Sequence, residues 1–294
     1  QGIIMLFGIV AVIAAVLMSK GGFTAALDGL AKVTDETVST TPGVFASFFG
    51  ADPLNLMFVV ILTSLGTWGL PQMVQKFYAI KDESSIKKGT IISTIFALVV
   101  AGGSYFLGGF GRLYSDKIDV KANGFDSIIP TMLSELSAPL IALVVILVLS
   151  ASMSTLSSLV IASSSTLTID FLKDNIVKKM DEKKQLLSIR IFVVIFIAIS
   201  AILALVQYKS SVTFIAQLMG ISWGALAGAF LAPFLYSLYW KKTTKAACWV
   251  SFVFGTGLMV IDLIGNLTGH HILPTIMQSP INCGAIAMLG GFVI

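Results

Sequence analysis

The stretch that decides how this chain folds is SASMSTLSSLVIASSSTLT, residues 150–168. It continues the apolar run of residues 140–149 and ends before a charged turn at residues 170–173. A membrane helix that becomes rich in hydroxyls without gaining a charge is suited to a dehydrated cation. Hydroxyl and carbonyl oxygens carry no formal charge, so they can hold such an ion and still release it. The stretch therefore predicts a membrane helix that meets an ion.

The hydroxyls of this stretch are not spread evenly around the predicted helix. Residues three, four and seven positions apart share a helical face, which groups Ala151, Ser154, Thr155 and Ser158, with Ser157 at the edge. The alternative interpretation is that such hydroxyls bond back to a carbonyl one turn earlier or join neighbouring helices. Because helix packing needs only a few hydroxyls, the dense cluster favours a polar ligand.

The composition is that of a membrane protein, with 56% hydrophobic and 12% charged residues. Several apolar runs reach the roughly 20 residues that cross a bilayer core as a helix. We therefore predict an all-α, multi-pass membrane protein that has the lipid bilayer as a partner. The net charge of +4 comes from lysines in loops, so we expect no nucleic-acid partner. The sequence contains no nucleotide-binding loop, catalytic triad or zinc spacing, which argues against an enzyme.

The apolar runs predict about eight transmembrane helices, separated by polar loops and joined by a short interfacial helix between residues 112 and 135. The predicted spans are residues 1–18, 53–77, 89–110, 139–171, 186–206, 212–240 and 246–267, with an eighth from about residue 281. Both ends of the chain fall in apolar runs, so we expect an internal fragment of a longer protein with its last helix truncated.

Basic residues are distributed unevenly between the two sides of these spans. Thirteen of the 19 lysines and arginines lie in the loops after the second, fourth and sixth spans. Because basic loops stay in the cytoplasm, the chain starts inside the cell. The helix that contains residues 150–168 then runs from outside to inside, with its hydroxyls toward the cytoplasm.

A second notable segment is LTSLGTWGLPQ, residues 62–72, within the second predicted span. Two glycines and a proline interrupt a membrane helix, and the freed backbone groups are tolerated only inside protein or beside a cavity. Transporters place substrates at such interrupted helices. The alternative is a proline kink that serves only helix packing.

Two further features have more than one interpretation. Gly220, Gly224 and Gly228 form a ladder of small residues, which predicts close helix packing, with a moving gate as the alternative. Asp262 is the one acid inside the predicted spans apart from Asp170, which lies at the very end of the fourth. It is either functional or simply hydrated, because it lies near the outer end of its helix.

At these residues the chain resembles the sodium:solute symporter family, in particular its sodium/proline-symporter branch. Gln1 to Met5 are similar to the start of the family's fifth core helix, and Gly69-Leu70-Pro71-Gln72 with Lys76-Phe77 to its sixth. The most specific match is Met153 to Ser157 with Ser163, Ser164, Thr168 and Asp170, in the eighth core helix, and Trp223-Gly224 begins a weaker match to the tenth. The resemblance covers essentially the whole chain.

The resemblance implies a leucine-transporter-type fold built from two inverted repeats, as a single transmembrane transporter domain over residues 1–294. The chain would hold the last helix of the first repeat, the whole second repeat and trailing helices. It also implies sodium as the coupling ion. Its ligands would be the carbonyl of Ala151 and the hydroxyls of Ser154 and Thr155, with Ser157 and Ser158 matching ligands of a second sodium in some members.

The resemblance implies a solute pocket around the interrupted span, with Thr63, Thr67, Trp68 and Gln72 as candidate substrate-binding residues. Proline symporters carry aromatic residues at the positions of Thr63 and Thr67 and a histidine at that of Gln72, so the sequence leaves the solute open between an amino acid such as proline and a related small carboxylate. The implied function is sodium-coupled symport into the cell across the plasma membrane by alternating access. A membrane sensor domain of a signalling protein and a proton-coupled transporter are the alternatives, and the oligomeric state is left open.

Overall fold

The structure is a computed structural model that describes residues 2–78, 80–118, 124–177, 180–210 and 215–294. Helices make up the regular structure of these residues, as the apolar runs predict. The α-helices are α1 (Gly2–Ser19), α2 (Phe23–Lys32), α3 (Pro53–Gly66), α4 (Pro71–Phe77), α5 (Glu83–Gly109), α6 (Ile128–Ser134), α7 (Ala138–Thr166), α8 (Glu182–Ser210), α9 (Ile215–Tyr239), α10 (Lys245–Thr268) and α11 (Pro280–Gly291).

Six helices of the described residues are long and apolar enough to cross a membrane. They are α1, α5, α7, α8, α9 and α10 with their direct continuations. The α3 segment and α11 are apolar but shorter. The multi-pass helical architecture is therefore confirmed, whereas the count of eight spans and the inverted repeat remain predictions.

The helix boundaries follow the sequence closely where a capping residue is present. Asp52 accepts a hydrogen bond from the Asn55 amide at the start of α3, and Thr244 accepts one from the Ala247 amide at the start of α10. Such side chains satisfy amides that a first helical turn leaves without a partner. Gly269 ends α10 with a positive φ of 72°, a conformation that glycine adopts without strain.

Two predictions about the helix boundaries need correction. The segment between the first two spans is not only a loop, because it contains α2, which buries Ala26 and Leu30 one turn apart. Helix α5 starts at Glu83 rather than at residue 89, because Asp82 caps it by accepting from the Ser85 amide at 2.8 Å. The predicted start of the sixth span at residue 212, like Gln1, lies outside the described residues.

The central helix changes type before it ends. It is α-helical to Thr166 and continues as a π-helix over Leu167–Ile176. At its end the Val177 amide donates to the Leu172 carbonyl at 2.8 Å, five residues back. The prediction of one helix over residues 139–171 is therefore right at its start, but the helix continues to Ile176 and its last part is π-helix and not α-helix. π-helical turns are rare and occur often at functional sites.

The described chain groups into two compact units, and each is described here by itself. The first unit contains residues 1–23 and 91–212, and the second contains residues 24–90 and 213–294. The first therefore holds α1, most of α5, and α6 to α8. The second holds α2 to α4 and α9 to α11.

In the first unit, charged side chains gather at the end of α1. Lys20 lies 3.6 Å from the Glu135 carboxylate and 3.8 Å from the ring centre of the buried Tyr114. Lys117 donates a hydrogen bond to the same carboxylate. Glu135 thus joins the end of α1 to the segment after α5, and the bond from Lys117, aided by the charge of Lys20, lowers the pKa of its carboxyl.

In the second unit, glycines bring α9, α10 and α11 into backbone contact. A Cβ added to Gly224 would lie 2.6 Å from the Gly284 Cα, and one added to Gly255 would lie 2.3 Å from the Gly228 carbonyl carbon. The ladder of small residues on α9 is therefore a packing surface, as the sequence predicts. The core beside it combines α3, α9 and α11 and consists of Phe58, Leu62, Ala227, Leu231, Ala285 and Met288.

Gly69 provides the first test of this packing. A Cβ added there would lie 2.8 Å from the Ala227 Cα, a backbone atom that cannot turn aside. We expect Gly69→Ala to lower the free energy of unfolding by roughly 1–3 kcal/mol, the usual cost of overpacking. The measurement is the apparent melting temperature of the purified protein in detergent.

Gly66, one turn earlier, supplies the matched control. The atoms nearest to a Cβ added there are the Met288 sulfur at 3.6 Å and a Trp223 ring carbon at 3.7 Å, which are ordinary contact distances. Gly66→Ala should therefore leave the melting temperature unchanged or raise it slightly. Equal melting temperatures for the two variants would contradict the packing described for Gly69.

The carboxylate of Glu135 provides a test of pH dependence. Because its pKa is lowered in the folded protein, its contribution to stability is present above the unfolded-state value of about 4.3 and is lost as the pH falls through the folded-state value. We expect Glu135→Gln to melt at a lower temperature than the wild type at pH 7, and the difference to shrink below about pH 4. Glu36→Gln, at an exposed site, is the control. A difference in melting temperature between Glu135→Gln and the wild type that does not change with pH would contradict the stabilising role of the Glu135 carboxylate.

Candidate ion and solute sites

The predicted ion-binding residues lie on two consecutive turns of α7. The helix is α-helical from Ala138 to Thr166, so Ala151, Ser154, Thr155 and Ser158 do share a face. Ala151 is half-buried, and the three hydroxyl residues, like Ser157, are exposed in the structure. Local structure therefore agrees with the predicted grouping, while their role as sodium ligands stays a prediction.

Hydrogen bonding divides these hydroxyls into two kinds. The Ser157 hydroxyl donates to the Met153 carbonyl at 2.7 Å, and the Ser158 hydroxyl donates to the Thr155 carbonyl at 2.8 Å. This is the back-bonding that the alternative interpretation expects. Within the described residues, neither Ser154 nor the Thr155 hydroxyl forms such a bond. Each back-bonded hydroxyl still has oxygen lone pairs that can face a cation.

A cavity of about 530 Å³ lies in the first unit between α1, α5, α6 and α7. Its lining is mostly aliphatic, with Ser104, Tyr105 and Ser152 as the members that carry a hydroxyl, and Ala151 forms part of its wall. None of Ser154, Thr155, Ser157 or Ser158 lines it. The hydroxyl face and this apolar cavity are thus separate features that meet only at Ala151.

The second predicted site lies at the interrupted span, and the interruption is confirmed. Helix α3 ends at Gly66, one 3-10 turn covers Thr67–Gly69, and α4 starts at Pro71. Leu70 between them is extended, with φ −87° and ψ 114°. Its carbonyl accepts from the amides of Met73 and Val74 at 2.9 and 3.2 Å, which are the first hydrogen bonds of α4.

The four candidate solute-binding residues are not equally placed around this break. Trp68 is 58% exposed and lines a cavity of about 250 Å³ together with Gly69, Pro71, Val74, Phe230 and Phe234. Thr63 donates to the Val59 carbonyl at 2.8 Å, and Thr67 donates to the Ser64 carbonyl at 3.1 Å. Gln72 is half-buried. Only Trp68 of the four lines this cavity.

The two predicted sites belong to different units, the ion-binding face to the first and the interrupted span to the second. The structure therefore defines the local geometry of each site by itself. The side chains of Lys76 and Phe77, part of the resemblance at the second site, lie outside the described part of the chain.

Burial of Asp262 is a feature that the sequence did not settle. Its side chain is only 1% exposed, so hydration at the interface is the wrong interpretation for this structure. The Asn266 amide nitrogen donates to its Oδ1 at 3.1 Å, whereas its Oδ2 is buried and has no partner among the described residues. The spacing of Asp262 and Asn266, four residues apart, was the available signal for this pairing.

Comparisons with known proteins agree with this architecture. A profile of the sodium:solute symporter family matches residues 1–255. The osmoregulated proline transporter OpuE of Bacillus subtilis is 26% identical over 89% of this chain and 53% of its own length. The sodium/pantothenate symporter of Haemophilus influenzae is 27% identical over 99% of the chain and 58% of its own length. The sodium/proline symporter of Escherichia coli is 25% identical over 99% of the chain and 57% of its own length.

The chain thus spans a little over half the length of these relatives. All three are named as transporters or symporters, and none is named as an enzyme. Because the profile extends over most of the chain, this protein belongs to the sodium:solute symporter family.

Proposed function

We propose that the protein containing this chain carries out sodium-coupled secondary active symport of a small organic solute into the cell across the plasma membrane. The observation that carries the proposal is the face of Ala151, Ser154, Thr155 and Ser158 on α7 in a chain of the sodium:solute symporter family. Sodium is the transported coupling ion. No chemical step is required.

The sodium site is proposed on the carbonyl of Ala151 and the hydroxyls of Ser154 and Thr155. The two hydroxyls form no back-bond with a described residue, and both are exposed on α7. Ser157 and Ser158 are proposed as ligands of a second sodium, through lone pairs that their bonds to Met153 and Thr155 leave available. Neutral ligands suit a cation that must bind and then leave.

The solute is proposed to be an amino acid such as proline or another small carboxylate. The relatives are named for proline and pantothenate, both of which carry a carboxylate. We propose that Thr63, Thr67, Trp68 and Gln72 contribute to its site at the break between α3 and α4. Trp68 has the best support, because its indole lines a cavity there and an interrupted helix presents backbone groups to a ligand.

Sodium drives the cycle through differential binding to two states. When external sodium holds α7 in the outward-open arrangement, the affinity for solute rises. By linkage, the solute must raise the affinity for sodium by the same factor. The change to the inward-open arrangement then exposes both to the cytoplasm, where sodium is released down its gradient.

The two alternatives make different predictions. A sensor would bind sodium and solute without moving them across a sealed membrane. A proton-coupled transporter would follow a proton gradient, and would require an ionisable group at the ion-binding face, where the sequence from Ala138 to Ile169 carries none. Uptake into vesicles under a sodium gradient or a proton gradient separates all three functions.

We expect Ser154→Ala and Thr155→Ala each to raise the sodium concentration for half-maximal solute uptake by roughly 10- to 100-fold, since each removes an oxygen that faces a charge. The measurement is uptake of labelled proline, other amino acids and pantothenate into vesicles that contain the full-length natural protein. Uptake is compared with and without a sodium gradient.

Ser163→Ala is the matched control, because Ser163 lies on the same helix but away from the face of Ser154 and Thr155. This variant should keep the sodium requirement of the wild type. Solute uptake that does not depend on sodium, or that is the same in Ser154→Ala and Thr155→Ala as in the wild type, would contradict the sodium site. The hydroxyls would then serve only helix packing.

A further inference from the structure

Two hydroxyls at the cytoplasmic end of α7 and in its π-helical continuation are buried without a partner among the described residues. Ser164 and Thr168 are both 0% exposed, and neither hydroxyl has a hydrogen-bond partner among the described residues. They lie four residues apart, on one face of the helix. Neither belongs to the sodium face proposed around Ser154 and Thr155.

These two residues behave differently from other hydroxyls in the spanning helices. Ser157, Ser158 and Thr63 each donate to a carbonyl three or four residues earlier, at distances of 2.7–2.8 Å. Ser164 and Thr168 have the same kind of acceptor one turn back but do not use it. A buried hydroxyl without a partner costs free energy, so two of them on one face point to a ligand that binds only part of the time.

Their position continues the line of Ser157, at the edge of the hydroxyl face, toward the cytoplasm. Seven residues separate Ser157 from Ser164, which is almost two complete turns, so the two side chains lie within about 20° around the helix. Thr168 follows one turn later, about 16 Å along the helix axis from Ser157. By the distribution of basic loops, this direction leads into the cell.

The backbone changes at the same place. The Leu167 amide is shared between the carbonyls of Ser163 and Ser164, and the π-helix begins at Leu167. A carbonyl oxygen has two lone pairs, so the Ser164 carbonyl can add to the two hydroxyls as a ligand. No charged side chain occurs from Ala138 to Ile169, and the first one beyond, Asp170, is exposed. Neutral oxygens alone suit a monovalent cation that pauses and leaves.

We propose that Ser164 and Thr168 form a low-affinity binding site for a partly dehydrated sodium ion on its way from the face of Ser154 and Thr155 to the cytoplasm. The inference rests on the proposed function and extends it to the release of the ion. The site acts after the first sodium site has emptied, so it governs the rate of release and not the affinity for external sodium.

The test uses the Ser164→Ala and Thr168→Val variants of the full-length natural protein, reconstituted into vesicles. We expect net sodium-driven uptake to fall about tenfold at saturating sodium, while the external sodium concentration for half-maximal uptake stays within about twofold of wild type. Exchange of solute with saturating sodium on both sides should be unaffected, because it does not require net release of sodium. Ser164→Thr and Thr168→Ser, which keep the hydroxyl, should restore net uptake.

Thermal stability separates this role from a structural one. Removing an unpaired buried hydroxyl should leave the melting temperature of Ser164→Ala and Thr168→Val unchanged or higher. Unchanged net uptake would overturn the proposal, and so would a loss of uptake that follows a loss of stability. Ser163→Ala, which alters an exposed neighbouring hydroxyl, should match the wild type.

The same experiment distinguishes failure of the release site from failure of the sodium site. A raised external sodium requirement in Ser164→Ala would place Ser164 in the first site and overturn a separate release site. If Ser154→Ala and Thr155→Ala leave the sodium requirement unchanged, the proposed sodium site fails, whatever the result for Ser164 and Thr168.

Discussion

Water is absent from the hydrocarbon core of a bilayer, so every backbone amide and carbonyl there must find a partner within the protein. Along α7 and α10, the hydrogen bonds of the helix itself satisfy these backbone groups. At the start of α10, the side chain of Thr244 satisfies an amide that the first turn leaves free. The break between α3 and α4 is the demanding case. It lies inside protein, because Gly69 packs directly against α9, and α4 restarts the helical bonds at the Leu70 carbonyl.

The same requirement for a hydrogen-bond partner applies to the polar side chains of the spanning helices. Ser157 and Ser158 satisfy it by bonding to their own helix. Ser164, Thr168 and one oxygen of Asp262 do not satisfy it with any described residue. In a membrane protein such groups are more informative than exposed ones, because each is retained against a cost. Ser164 and Thr168 lie on the helix whose composition first indicated ion binding.

The sequence predicts features that depend on local composition. Apolar length locates α1, α7 and α10 to within a residue or two at most ends, and the glycines and proline of residues 62–72 locate the break. Helix α2 escapes prediction because its ten residues are amphipathic and short. The π-helix escapes because no residue pattern specifies a wider turn. The burial of Ser164 and Asp262 depends on which helices cover a face, and a single sequence does not contain that information.

The glycine contacts between α9, α10 and α11 have a thermodynamic consequence. Where Gly224 meets Gly284 and Gly255 meets Gly228, helices touch through their backbones, so little side-chain rotamer entropy is lost when they associate. This is an advantage in lipid, where apolar side chains gain little by leaving the solvent. The attraction is then mainly dispersion, and a gap of 0.5–1 Å forfeits roughly a quarter to a half of it. These three helices should therefore hold together as one piece and separate abruptly rather than by gradual loosening.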